Sequence, residues 1–336
     1  MKILFFLLLF ISLNGFGQVF HLHNVNTGLD ASFRGLSVVD DSIAWVAGTN
    51  AFVGRTANAH SWNFRQVKGY EKCDFRSIYA FDARTAVIAN AGSPAYILWT
   101  QDGGANWQEV YRNEDSAAFF DGIDFWNNKE GIIYGDPING RMLLLRTDDG
   151  GKTWKELPSA SRPLLEKGEA SFAASGTNIR CTGKGKVVVA TGGKISRLFI
   201  SDDKGRNWQH LNTPILQGNN STGIFSFAFS DDKHAVIVGG DYKNDTLRKD
   251  HVFYTTDGGK TWLRPTRPTG GYRECVEYLN SKTLIATGPN GTDISYNNGM
   301  DWEPLPDSEG FHVVRKSRKG HLVILAGKNG KLALLQ

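Results

Sequence analysis

Thr147-Asp148-Asp149-Gly150-Gly151-Lys152-Thr153-Trp154 returns with small changes three more times along this 336-residue chain. The other full copies are Thr100-Gln101-Asp102-Gly103-Gly104-Ala105-Asn106-Trp107, Ser201-Asp202-Asp203-Lys204-Gly205-Arg206-Asn207-Trp208 and Thr255-Thr256-Asp257-Gly258-Gly259-Lys260-Thr261-Trp262. Each residue type in the box has a physical task. The carboxylates of Asp102, Asp149, Asp203 and Asp257 suit acceptance of backbone N–H groups inside a tight turn. The glycine takes a left-handed conformation that a Cβ would penalise. Trp107, Trp154, Trp208 and Trp262 are apolar plugs that lock the turn to the sheet behind it. These residues read as structural rather than catalytic.

Working outward, each box occupies a fixed place in a longer unit. An aromatic-rich segment such as Phe75-Arg76-Ser77-Ile78-Tyr79 comes first, then Thr85-Ala86-Val87-Ile88-Ala89, then Ala95-Tyr96-Ile97-Leu98-Trp99. The box follows, and after it a short strand such as Trp107-Gln108-Glu109-Val110. Four short strands with a turn at one fixed place describe a propeller blade. A weakened box spans Ser295–Trp302 and a worn one Arg55–Trp62.

First strands are expected near Phe33, Phe75, Phe120, Ala170, Ile224, Tyr272 and Phe311, so the blades number seven. The period is about 46 residues, ordinary for propellers. The seventh unit stops after three strands, and Val19-Phe20-His21-Leu22-His23-Asn24 resembles Trp208-Gln209-His210-Leu211-Asn212. The N-terminal strand, residues 19–24, is therefore expected to complete the last blade and remove the open sheet edges. The fold class is all-β: a seven-bladed propeller of four-stranded antiparallel blades.

Met1-Lys2, the apolar run Ile3–Leu13 and the small residues Gly15 and Gly17 read as a secretory signal peptide. Residues 1–17 are expected to leave, with 18–336 forming one propeller domain. The apolar run is shorter than the ~20 residues that span a bilayer. The protein is thus expected to be exported, periplasmic or extracellular, monomeric and not membrane-inserted. The formal charge of +4 falls by one when Lys2 leaves, too mild to argue for a nucleic-acid partner. Cys73, Cys181 and Cys275 are scattered, and no metal or other cofactor is implied.

The boxes and the seven-unit count resemble the bacterial neuraminidase repeat (BNR), or Asp-box, propellers, a group that includes sialidases and sortilin-type receptors. The phrase Thr-Thr-Asp-Gly-Gly-Lys-Thr-Trp at 255–262 looks most like the photosystem II stability/assembly factor family and its exported relatives. The resemblance covers essentially residues 19–336. It implies a non-catalytic scaffold that binds partner proteins.

Candidate chemistry lies where first strands meet the central channel. Aligned one residue after the leading aromatic, the column reads Arg34, Arg76, Asp121, Ala170, Phe225, Arg273 and His312. Three arginines in one ring position suit a carboxylate-gripping mouth. A ring of internal salt bridges holding the blades in register is the structural alternative. Arg34, Arg76 and Arg273 are expected to converge, with His312 between them and Asp121 and Tyr242 nearby. The partner would be an exported protein segment or an anionic glycan.

The sialidase resemblance implies a second arrangement. Three arginines would hold a substrate carboxylate, Tyr272 or Tyr242 would be the nucleophile, and Glu169 would stand behind it. A two-carboxylate glycosidase would instead use Asp121, Asp136 or Asp241. Sialidases carry Arg-Ile-Pro on the early strand, whereas Gly35-Leu36 follows Arg34 here. The basic run Arg315–Lys319 reads as a solvated hairpin turn.

Overall fold

A computed structural model describes residues 20–336. The expected signal peptide lies outside the described residues. Seven antiparallel sheets follow one another around a ring. Blade 1 comprises Phe33–Val38, Ala44–Gly48, Phe52–Thr56 and Trp62–Gln66. Blade 2 comprises Phe75–Ala80, Ala86–Asn90, Ala95–Thr100 and Gln108–Asn113. Blade 3 comprises Phe120–Phe125, Gly131–Ile138, Arg141–Thr147 and Lys155–Glu156. Blade 4 comprises Ile179–Thr182, Lys186–Ala190, Arg197–Ser201 and Gln209–Asn212. Blade 6 comprises Cys275–Tyr278, Leu284–Gly288, Gly291–Ser295 and Glu303–Leu305.

Blade 7 closes the ring. Phe311–Lys316, Val323–Gly327 and Leu332–Leu335 are joined by Leu22–Val25, with Leu22 opposite Leu335. His21 and Gln336 extend the ladder by exchanging backbone bonds of 2.8 and 2.9 Å. The closing strand thus sits slightly later in sequence than residues 19–24.

Blade 5 departs from the four-strand pattern. Thr222–Phe229, Ala235–Asp241 and Val252–Thr255 gain the short pieces Gly192–Gly193 and Glu169–Ala170 on the inner side. Its outer strand is reduced to one bridge between Tyr254 and Leu263. Pro265 and Pro268 follow at once and cannot donate to a ladder. Glu169–Ala170 was expected to begin blade 4, which instead begins at Ile179.

The core lies between blades. One cluster packs Phe33, Leu36 and Val46 of blade 1 against Phe311, Val313 and Leu325 of blade 7. The box turns seal the lower face, the face on which first strands end. In blade 3 the Asp149 Oδ1 atom accepts N–H bonds from Lys152 and Thr153, each 3.0 Å, and Gly151 stands at φ +85°. Trp154 packs beside that turn with its indole N–H on the Gly151 carbonyl at 3.1 Å. The carboxyls of Asp102 and Asp257 are pulled down to about 2, chiefly by backbone N–H bonds from Asn106 and Thr261.

Candidate functional site

The channel wall is made by first strands that share one irregularity. Register slips between Phe33 and Gly35, Phe75 and Ser77, Phe120 and Gly122, Ile224 and Ser226, and Phe311 and Val313. The extra residue of each bulge is Arg34, Arg76, Asp121, Phe225 or His312. A one-residue bulge leaves its residue outside the ladder and re-aims its side chain.

Blade 6 obeys the same rule one residue later than expected. A Cβ on Gly288 would meet the Tyr272 carbonyl at 2.7 Å, as one on Gly48 of blade 1 would meet the Ser32 carbonyl at 2.0 Å. Tyr272 therefore stands where Ser32 does, Arg273 where Phe33 does, and Glu274 where Arg34 does. Glu274 is the channel residue of blade 6. Arg273 turns instead into its own blade, where Nε lies 2.7 Å from Asp293 and Nη1 bonds the Tyr272 carbonyl and Asn290. Its side chain is 2% exposed. The expected three-arginine convergence is thus corrected: its third member is an acid.

Around the Glu274 carboxylate the upper mouth is internally satisfied. It accepts from Arg34 Nη1 at 2.8 Å and the Tyr272 hydroxyl at 3.3 Å, and holds His312 Nδ1 at 2.7 Å. Burial alone would push Glu274 up, but the Arg34 charge and the His312 bond hold it below the usual carboxylate value. Arg76 pairs with Asp74 at 2.7 Å. Asp121 is wholly buried, and burial and then the Asp136 charge push its carboxyl well above the ordinary range.

Residues 171–178, between the inner pieces of blade 5 and the first strand of blade 4, cross the channel. The carbonyls of Ala174 and Ala173 accept from Arg34 at 2.8 Å and Arg76 at 3.3 Å. The Ser171 N–H reaches Asp136, Thr177 meets Ser226, and the Ser175 hydroxyl reaches the Glu274 carbonyl. Phe172 stacks on Phe225 with centroids 3.9 Å apart, and Tyr242, 48% exposed, stands edge-on to both. The segment separates the two mouths of the channel.

The arrangement expected for glycosidic chemistry does not assemble. Tyr272 is 1% exposed and touches Glu274, not Glu169. Glu169 lies across blades 4 and 5, held by Arg197 Nε at 3.0 Å and Nη2 at 2.5 Å and by the Thr191 hydroxyl at 2.6 Å. Asp136 accepts the Ser171 N–H, and Asp241 accepts the Lys243 N–H in a turn. These bonds secure the chain; Asp121 and Asp136 are neighbours, close enough for one charge to act on the other, while Glu169 is held apart from them by Arg197. Among the described residues no group of three or more His, Cys, Asp or Glu is placed to hold a metal.

The lower mouth is different and was not singled out from sequence. A cavity of about 280 Å³ is lined by the ends of all seven first strands. Its charged lining is Arg180, Arg315, Lys316 and Arg318 against Asp124 and Glu277. Glu277 Oε2 accepts from Arg180 at 2.8 Å and Arg315 at 3.4 Å. The Asp124 carboxylate is occupied by the N–H groups of Cys181 and Phe125, at 2.7 and 2.9 Å.

Residues 317–322 form the expected hairpin turn between the first two strands of blade 7, with Arg318 and Lys319 exposed, but the turn is also tied to neighbouring blades. The Arg318 N–H bonds the Val38 carbonyl at 3.2 Å, and its guanidinium reaches Ser37 and the Ala80 carbonyl while lying 4.4 Å from the Tyr79 ring centroid. Asp41 of blade 1 accepts N–H bonds from His321 and Leu322. The run is stapled across blades 1 and 2, and Arg315, Lys316 and Arg318 line the cavity. The sequence signal was a column near the end of each first strand: Ser37, Tyr79, Asp124, Cys181, Ala228, Glu277 and Arg315.

Known proteins bear on this geometry. A family model described as "Photosynthesis system II assembly factor YCF48" matches residues 91–164, and one for "Sortilin, neurotensin receptor 3" matches residues 143–283. A "Photosystem II assembly lipoprotein Ycf48" from Synechococcus sp. (strain CC9902) is 24% identical over 276 residues, covering 72% of this chain and 75% of the relative. The solved structure "YCF48 bound to D1 peptide" superposes with a TM-score of 0.67 at 15% identity, over 95% of this chain and 97% of that one. "YCF48 from Cyanidioschyzon merolae" superposes with the same TM-score at 14% identity, over 93% and 98%.

Proposed function

We propose that this chain, a YCF48-like propeller of the BNR type, is a non-catalytic exported scaffold that binds a segment of a partner protein. One observation carries the reading: an open cavity at the lower mouth with four cations against two carboxylates. Both carboxylates already have internal partners. An extended segment bearing acidic groups fits such a lining, since guanidinium and ammonium groups bond carboxylates with charge-assisted strength. At the upper mouth, by contrast, Arg34 and His312 are paired with Glu274, and Arg76 with Asp74. The relative solved with a bound peptide lends support, as a protein of the same fold. Export follows from the leader read in residues 1–17, with the periplasm or the cell exterior as the address.

The test is titration of the mature chain with acidic and neutral peptides, read by fluorescence anisotropy. Lys316→Ala and Arg315→Ala should each weaken acidic-peptide binding by about 1–2 kcal/mol, roughly tenfold. Binding should also fall as salt rises. Affinity untouched by both substitutions would remove the lower mouth as the site.

A further inference from the structure

Exposed large apolar side chains are few among the described residues, and three of the five gather on one rim. They are Leu263 at 45%, Tyr296 at 43% and Met300 at 37% exposed. Tyr296 and Met300 belong to the weakened box of blade 6. At the position of Tyr296 the full boxes carry Gln101, Asp148, Asp202 and Thr256. At that of Met300 they carry Ala105, Lys152, Arg206 and Lys260. The turn itself survives: Asn297 takes the aspartate's part by accepting the Asp301 N–H at 2.9 Å, and the Trp302 indole bonds the Gly299 carbonyl at 3.1 Å. The two apolar residues are therefore not needed to make the turn.

The patch is continuous. The Met300 carbonyl accepts the Thr266 N–H at 2.9 Å, and Tyr254, beside Gly299, exchanges backbone bonds with Leu263. On its other side Phe20 stacks on Tyr296 with ring centroids 6.3 Å apart and planes 16° from parallel. Arg264 and Arg267 flank it with side chains 70% and 61% exposed, the first paired with Asp250 and the second with Asp301 and Glu303.

Phe20 is also where the described chain begins. Six residues, seven Cα–Cα steps, separate it from Leu13, the end of the apolar leader run, and such a span reaches at most about 25 Å. While the leader is in a membrane, Phe20 and the rim beside it stay within that reach of the bilayer. An aromatic with a polar tip, two flexible apolar side chains and flanking guanidinium groups suit the lipid interface.

We propose that the rim formed by Phe20, Leu263, Tyr296 and Met300 is a peripheral docking surface for a lipid bilayer. This goes beyond peptide binding and rests on the reading of residues 1–17 as an export leader. It lies on the face of the box turns, so docking would hold the basic lower mouth close to the membrane surface.

The test is flotation of the chain from Gln18 onward with vesicles of phosphatidylethanolamine and phosphatidylglycerol, which keeps the leader's own apolarity out of the measurement. The comparison is the double variant Tyr296→Asp and Met300→Lys, which places in this turn the residue types of Asp148 and Lys152. The parent should float with vesicles. The variant should lose about fivefold or more of its bound fraction while keeping the parent's folded circular-dichroism spectrum. A parent that stays in the dense fraction, or a variant that floats equally, overturns the proposal. So does sedimentation showing a dimer that the variant dissolves, since the patch then belongs to a second copy. The leader reading fails separately, if the exported protein's mass retains residues 1–17.

Discussion

Replacing Glu274 with Ala asks whether the upper mouth is a brace or a binding site. The carboxylate is 5% exposed and answers Arg34 at 2.8 Å, His312 at 2.7 Å and Tyr272 at 3.3 Å. Its removal strands a guanidinium that is 19% exposed and keeps the Ala174 carbonyl. Breaking a buried pair by deleting one partner costs about 3–5 kcal/mol, and the retained carbonyl bond and slight exposure place this case near 3. A domain of this size shifts by roughly 2 °C per kcal/mol, so melting should fall by about 6 °C. Arg34→Met in the same background should recover part of the loss, because it removes the stranded charge. The assay is thermal melting of both variants beside acidic-peptide titration. A Glu274→Ala protein that melts like the parent yet loses peptide binding would refute the bracing argument and return the upper mouth to the functional role.

Two further outcomes are expected. Deleting Phe20–Val25 uncovers the Leu332–Leu335 edge and should cost about 3 kcal/mol or more in denaturant unfolding; an unchanged midpoint would mean blade 7 is complete without it. The depressed carboxyls of Asp102 and Asp257 contribute stability that is present above about pH 4 and lost as pH falls towards 2. Asp257→Asn, which copies Asn297 of blade 6, should flatten the fall in melting temperature over that window, and an unaltered slope would contradict the assignment.

The seven units and the box turns were legible because each is local and repeated, and the closing strand because residues 19–24 resemble the strand after the box at 208–212. The box carries its own turn chemistry, and short apolar runs such as Ala86–Asn90, buried along their whole length, mark the inner strands. What escaped was long-range or one residue wide. Tyr272-Arg273 imitates Phe33-Arg34 and Phe75-Arg76 in type, yet the carbonyl that meets Gly288 belongs to Tyr272. A bulge moves every assignment at its position by one, and composition does not record it. Glu169 found Arg197 rather than Tyr272 because residues 171–178 leave the sheet pattern, and nothing in their small side chains announces a channel crossing. The lower cavity was hidden for a related reason: its charges sit at the far ends of strands that were compared only at their starts.

In a ring of repeats each blade touches its two neighbours, and stability is close to a sum of repeat and nearest-neighbour terms. Such a ring can open at its weakest seam while the rest persists. Residues 171–178 change that mechanics. By bonding Arg34, Arg76, Asp136, Ser226 and the Glu274 backbone, they tie blades 1, 2, 3, 5 and 6 to one strut across the hub. Parting any of these blades also pulls on that strut, so distant parts of the ring share the load and give way together.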